Sequence, residues 1–102
     1  MFESEIFIKK AQWIRARIIK ENGHIDMLNR DFVDDYAEEF KVSRVWKIIG
    51  ANGCRDLQTM LGKLYQKNYL YRDSVGITGG LAGNGFPTWV WSYRLRNHGE
   101  WF

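Results

Sequence analysis

The stretch that most constrains the fold is residues 54–96, where the spacing of apolar residues changes partway along the chain. The first part, CRDLQTMLGKLYQKN, repeats apolar residues at intervals of three and four, as one buried face of a helix does. These residues are Leu57, Met60, Leu61 and Leu64. The last part, TWVWSYRLR, places large apolar side chains at every second position, which is the period of a strand. Residues 54–96 therefore predict a helix that leads into a strand hairpin.

The predicted hairpin has two strands joined by a glycine-rich tip, GITGGLAGNG. Its first strand, YLYRDSV, puts Leu70 and Arg72 on one face and Tyr71 on the other. Arg94 and Arg96 share one face of the second strand. The opposite face of that strand consists of Trp89, Trp91, Tyr93 and Leu95. Such an apolar face needs cover, which we expect the helices to supply.

Two amphipathic helices are predicted before this stretch. Ser4 is a typical N-cap for the first helix, and Asn22 and Gly23 form a turn signal that ends it. Asn29 is a candidate cap for the second helix. The predicted elements are a helix over residues 4–21, a very short strand over 24–27 and a helix over 29–41.

The segment SRVWKII, residues 43–49, has two possible interpretations. A turn at residues 41–43 would make it the start of the helix that leads into the hairpin. A turn at residues 50–53 would make it an additional, preceding helix. We favour the second interpretation, because the glycines at 50 and 53 end one helix and the next helix runs directly into the hairpin.

A helix running straight into a hairpin with a flexible tip resembles the recognition helix and wing of a winged helix-turn-helix domain. The resemblance implies an α+β fold of three or four helices and a C-terminal antiparallel β-hairpin, with a short strand after the first helix. The chain is then a single domain, residues 1–102. Its parts are a helical region (1–53), a recognition helix (54–68), a hairpin or wing (69–96) and a tail (97–102).

Composition excludes several classes of protein. One cysteine among 102 residues allows no internal disulfide, and no apolar run reaches the ~18 residues of a membrane span. The first residues, MFESEIFIKK, lack the layout of a signal peptide. We therefore expect a cytoplasmic protein that does not enter a membrane.

Charge is distributed unevenly along the chain. Five acids lie within residues 31–39, which leaves 15 basic and 7 acidic residues elsewhere. If this acidic helix faces away from the rest, a basic surface remains. The alternative is that the acidic run is an ordinary solvated face.

The motifs that carry chemistry are not present. The glycine-rich tip lacks the Lys-Ser/Thr ending of a phosphate-binding loop and precedes a strand. Cys54, His24 and His98 have no metal-ligand spacing. Cys54 could pair with one of these histidines as a nucleophile, since such partners need not be near in sequence, but it fits better as a small core residue. We therefore expect a protein that is not an enzyme and uses no metal or cofactor.

The resemblance implies double-stranded DNA as the ligand, with the side of the helix opposite its apolar stripe facing the major groove. The helix residues expected to face the major groove, as a mixture of side chains for base edges and for the backbone, are Arg55, Gln58, Thr59, Lys63 and Gln66. By resemblance to other wings, Arg72, Arg94 and Arg96 are expected to hold the DNA backbone through its phosphates or to enter the minor groove. Such a protein would be a small transcriptional regulator or a replication accessory.

The alternative function is a protein-interaction module, an adaptor or inhibitor, on the same scaffold. The tail GEWF favours it, because Trp101 and Phe102 are large rings of the kind that anchor interfaces. They are then expected to bind a protein partner or to form a homodimer. The same tail could instead pack on its own domain.

Overall fold

The computed structural model describes residues 4–26, 29–46, 52–76 and 89–102. These ranges form a small α+β fold with three helices and a three-stranded antiparallel sheet. The elements in chain order are α1 (Glu5–Lys20), β1 (His24–Asp26), α2 (Arg30–Phe40), β2 (Val45–Trp46), β3 (Asn52–Gly53), α3 (Arg55–Gln66), β4 (Leu70–Gly76) and β5 (Trp89–Leu95). The predicted α+β class is confirmed.

The first two helices begin at the predicted caps. The Ser4 hydroxyl accepts a hydrogen bond from the Phe7 amide at 3.2 Å, and the Asn29 side chain accepts one from the Phe32 amide at 3.1 Å. Each cap satisfies an amide that has no partner inside its helix. The start of α1 and the start of α2 are therefore each determined by a single local residue.

Left-handed backbone conformations follow all three helices. Asn22 and Gly23 have φ angles of 65° and 88° after α1, and Lys41 has φ 53° at the end of α2. Asn68, predicted to end α3, has φ 66°. Asparagine and glycine adopt this region at low cost, and the reversal aims the chain into the next strand. The predicted ends of α1 and α3 are confirmed.

The core lies between the helices and one face of the sheet. Buried residues of α1 recur along one stripe, and all four residues of the predicted stripe on α3 are buried. The sheet contributes Ile25, Leu70, Tyr93 and Leu95. Trp91 is half-buried against the same core. The side chain of Trp89 is not among those that the structure describes. The face predicted to need cover is thus covered at Trp91, Tyr93 and Leu95.

The three-stranded sheet has β5 in the centre, in the order β1–β5–β4. Ile25 pairs with Tyr93, and Leu70 pairs with Leu95. Both pairs put apolar side chains on the inner face, which fixes the register because a shift of one residue would turn them outward. The predicted short strand after α1 is therefore the third strand of this sheet.

The prediction that SRVWKII is helical is wrong at Val45 and Trp46. These residues form β2, which pairs antiparallel with β3. Valine and tryptophan favour extended backbone, and the partner strand supplies hydrogen bonds that a local helical pattern does not reveal. The helix that leads into the hairpin begins at Arg55, after the glycine segment, as the favoured interpretation required. Residues 47–51 and most of the glycine-rich tip lie outside the described residues.

An aromatic cluster joins α1 to α2. The Trp13 ring stacks on Phe32 with centroids 6.0 Å apart and meets Tyr36 and Phe40 edge-on at 5.6 and 5.9 Å. Trp13 lies beside the central stripe of α1, and it covers the second helix from there. This packing holds α2 in place independently of the sheet.

Candidate functional site

The outer face of α3 is an exposed polar surface. All five residues predicted to face the major groove are exposed: Arg55, Gln58, Thr59, Lys63 and Gln66. The opposite face is buried through Leu57, Met60, Leu61 and Leu64. Gly62 lies among the polar residues, and a Cβ atom built on it would meet nothing within 4 Å. The helix thus presents two cations, two amides and a hydroxyl on one side.

Asp56 is the only acidic residue of α3, and it turns towards α1 and α2. Lys10 donates to both of its carboxylate oxygens, at 2.9 and 3.0 Å, and the Tyr36 hydroxyl donates to one of them. Burial by itself raises the pKa of Asp56, but the two donors outweigh it and hold the pKa below its ordinary value. Within the described ranges, Arg55 and Lys63 form no salt bridge, so the outer face keeps a positive charge.

Two arginines lie on the outer face of the hairpin, as predicted. The Arg94 guanidinium lies 4.3 Å from the centre of the Tyr71 ring and donates to Asp73 at 3.3 Å. Arg96 lies 5.3 Å from the same ring and donates to Asn68 at 3.3 Å. Asn68 lies between α3 and β4, so Arg96 sits where the helix joins the hairpin. Both arginines are exposed.

Arg72 is placed differently from the prediction that it holds a DNA backbone. Its guanidinium lies between the rings of Tyr65 and Trp91, 4.1 Å from each ring centre. The alternation of side chains along β4 indicates this inward placement, because Arg72 shares a face with Leu70, which is buried. The sequence does not predict that Tyr65 and Trp91 form this contact, since α3 and β5 meet only in the folded chain.

The tail packs on its own domain at Trp101. This ring is only 6% exposed and stacks on Tyr69 with centroids 4.9 Å apart. Its Nε1 donates to the Asn97 carbonyl at 2.8 Å, and the Tyr69 hydroxyl donates to the Trp101 carbonyl at 2.9 Å. Phe102 is 43% exposed and meets Phe7 edge-on. Trp101 therefore follows the alternative in which the tail packs on its own domain, because Tyr69, 32 residues away, covers its ring.

The acidic residues gather on α2 and leave α3 almost free of negative charge. Arg17 pairs with Asp35 at 2.6 Å, and Arg44 pairs with Asp34. The exposed acids of the helix are Asp31, Asp35, Glu38 and Glu39. Most of the exposed acids thus lie on α2, while α3 exposes two cations.

Other kinds of site find no support in the described part of the chain. No group of three or more His, Cys, Asp or Glu residues is arranged there to hold a metal ion. Cys54 is fully buried at the start of α3, as expected of a core residue. Within the same ranges, every helix is too short or too polar to cross a membrane.

Comparison with family models, with curated proteins and with solved structures gives no match.

Proposed function

We propose that this protein binds double-stranded DNA, with α3 in the major groove and the β4–β5 hairpin beside it as a wing. The observation that carries the proposal is the division of α3 into one fully buried apolar face and one exposed face of hydrogen-bonding side chains. Such a protein would act as a small regulator of transcription or as a replication accessory.

The order of the elements supports a winged-helix interpretation. Before the hairpin the chain forms a helix, a short strand, a second helix, the short β2–β3 pair and a third helix. The short strand β1 joins the hairpin to make three strands. The last helix leads into the first hairpin strand through residues 67–69 only. A helix and a hairpin connected so closely would approach the same duplex together.

The side chains on α3 suit the contacts that a major groove offers. The groove is about 12 Å wide and accepts a helix. Arginine pairs with two acceptors of guanine, and glutamine pairs with adenine, so Arg55 and Gln58 are suited to base edges. Lys63 is suited to a phosphate as a point charge, and Arg94 and Arg96 would supply further phosphate contacts from the hairpin.

The acidic face of α2 restricts how a duplex can approach. Carboxylates repel phosphates within a Debye length, which is about 8 Å at physiological salt. DNA is therefore excluded from the exposed face of α2 and directed to α3 and the hairpin. The separation of charges would select one docking orientation.

A salt series of binding to random-sequence duplex DNA tests the proposal. Each phosphate contact should make the logarithm of affinity fall by about 0.9 per tenfold rise in salt. The variant Arg55→Ala/Lys63→Ala should lose affinity and flatten this slope. The control Lys9→Ala/Lys20→Ala removes two exposed cations from α1 and should change both quantities much less.

The wild-type result at low ionic strength is decisive. If affinity for every duplex is absent or independent of salt, DNA binding is wrong. A protein-interaction module then becomes the better interpretation of the same exposed surface.

A further inference from the structure

We propose that Arg72 is a positioning residue, whose guanidinium clamps the hairpin to α3 and so fixes the relation between the two DNA-contacting surfaces. The part of this inference that concerns DNA rests on the proposed function. The clamp itself is a property of the folded chain and can be tested without DNA.

The clamp consists of one guanidinium between two rings from different elements. Tyr65 belongs to the last turn of α3, and Trp91 belongs to the central strand β5. Arg72 comes from β4 and lies 4.1 Å from both ring centres. Arg72 is also the cross-strand partner of Tyr93 in the β4–β5 pair. One side chain thus connects the helix to both strands of the hairpin.

The clamp lies at the point along the hairpin where support from the core ends. At the base, Leu70 and Leu95 are paired and buried, so the core holds that end. Arg72 is the next inward residue of β4. Beyond it, residues 73–75 are exposed. Arg72 therefore supports the hairpin at the point where it leaves the core.

The contact requires a planar cation. A guanidinium can stack on rings at both of its faces, whereas an ammonium is a compact, strongly hydrated point charge. Lysine at position 72 would keep the charge but lose the double stack. A phosphate contact would tolerate that change far better, because phosphate attracts either cation. Arg72→Lys therefore separates a clamp from a charge that contacts DNA.

The first arm of the test measures amide hydrogen exchange without DNA. In both Arg72→Lys and Arg72→Ala, amides of residues 72–75 and 90–92 should exchange faster than in the wild type, while those of α1 stay unchanged. Circular dichroism at the same temperature checks that each variant is folded. If Arg72→Lys protects these amides as well as the wild type does, there is no guanidinium clamp.

The second arm is a double-mutant cycle on affinity for a duplex. Replacing Arg94 and Arg96 by Ala should cost about tenfold in the wild type and less than about threefold in Arg72→Lys, because an unclamped hairpin no longer holds them at the DNA. Arg55→Ala should cost the same in both backgrounds. A substitution that only lowers stability would affect both sites alike.

The outcomes separate the two proposals. The positioning role is overturned if the effects on affinity of Arg72→Lys and of replacing Arg94 and Arg96 are additive. It is also overturned if affinity disappears in Arg72→Ala and returns in Arg72→Lys, since Arg72 then acts only as a charge. If the wild type binds no duplex, the proposed function fails, and the exchange arm alone decides whether the clamp exists.

Discussion

The hydroxyl of Tyr36 donates a hydrogen bond to the carboxylate of Asp56 and so ties α2 to the first turn of α3. Lys10 reaches the same carboxylate from α1, so three helices meet at one acid. The Tyr36 side chain is fully buried, and this burial, together with the carboxylate, raises the pKa of its hydroxyl far above the ordinary value. This junction connects the first turn of α3 to both of the other helices in the described chain.

Removing the Tyr36 hydroxyl should weaken the junction without disturbing the aromatic cluster. Tyr36→Phe keeps the ring against Trp13 and Phe40 and leaves Lys10 on the carboxylate. We expect a decrease of about 1–2 kcal/mol in the free energy of unfolding, measured by urea denaturation. The control Tyr71→Phe makes the same change on an exposed ring and should cost much less. Equal effects of the two variants would argue against the junction.

The contribution of Asp56 should depend on pH in a defined direction. Its pKa is lower in the folded protein than the value of about 3.9 in an unfolded chain. The ionised carboxylate therefore stabilises the fold above about pH 4, and this contribution is lost as the pH falls through the folded pKa. Asp56→Asn should be less stable than the wild type at about pH 7, and the difference should shrink towards about pH 3. A difference in urea stability that grows on acidification would contradict this sign.

Two glycines with open surroundings should respond to alanine in opposite ways. Gly62 lies within α3, so Gly62→Ala should stabilise the protein by about 0.5–1 kcal/mol. Gly23 also has no atom within reach of a Cβ, but its φ of +88° is strained for any other residue, so Gly23→Ala should destabilise it. Thermal unfolding of both variants measures the pair. Stabilisation by both substitutions would show that the conformation at Gly23 is not required.

The tail rings should differ in their importance for stability. Trp101 is buried against Tyr69, so Trp101→Ala should cost about 3–5 kcal/mol in urea unfolding. Phe102 is nearly half exposed, and Phe102→Ala should cost less than about 1 kcal/mol. If Trp101→Ala unfolds at the wild-type urea concentration, the tail does not pack on the domain.

The proposed DNA-binding residues should separate into two kinds. Replacing Arg55 and Gln58 with Ala should mainly reduce preference among sequences, by about 1–3 kcal/mol for each bidentate pairing with a base. Replacing Arg94 and Arg96 should weaken binding to all sequences and flatten the salt slope by about one unit for each phosphate that is no longer bound. Competition between a selected duplex and random duplexes measures the first effect. Similar behaviour of the two double variants would reject this division of roles.

The sequence predicts those parts of the fold that depend on local chemistry. Ser4 and Asn29 cap their helices through side chains only three residues from the amides they bind. Asn22 and Asn68 reverse the chain through their own backbone preference. The stripe on α3 is likewise visible in the spacing of its residues, and so is the exposed face opposite. These features need no knowledge of the rest of the chain.

The remaining features depend on partners that are distant in sequence. Val45 and Trp46 pair with a strand six or more residues away, which local helical spacing does not reveal. Arg72 and Trp101 look like surface groups until Trp91 and Tyr69 cover them. Both are residues whose polar and apolar parts permit either environment, so only the folded structure decides their role.

The central position of β5 has a consequence for how the chain folds during synthesis. β5 follows both of its neighbours in the sequence, and it is the strand to which β1 and β4 are hydrogen-bonded in this sheet. Until residues 89–95 leave the ribosome, the inner faces of β1 and β4 cannot be aligned, although all three helices have already been made. Ile25 and Leu70 then remain without their cross-strand partners. The pairing of β1 with β5 closes a loop of more than sixty residues, and such non-local pairing slows folding and leaves nascent strands exposed to aggregation.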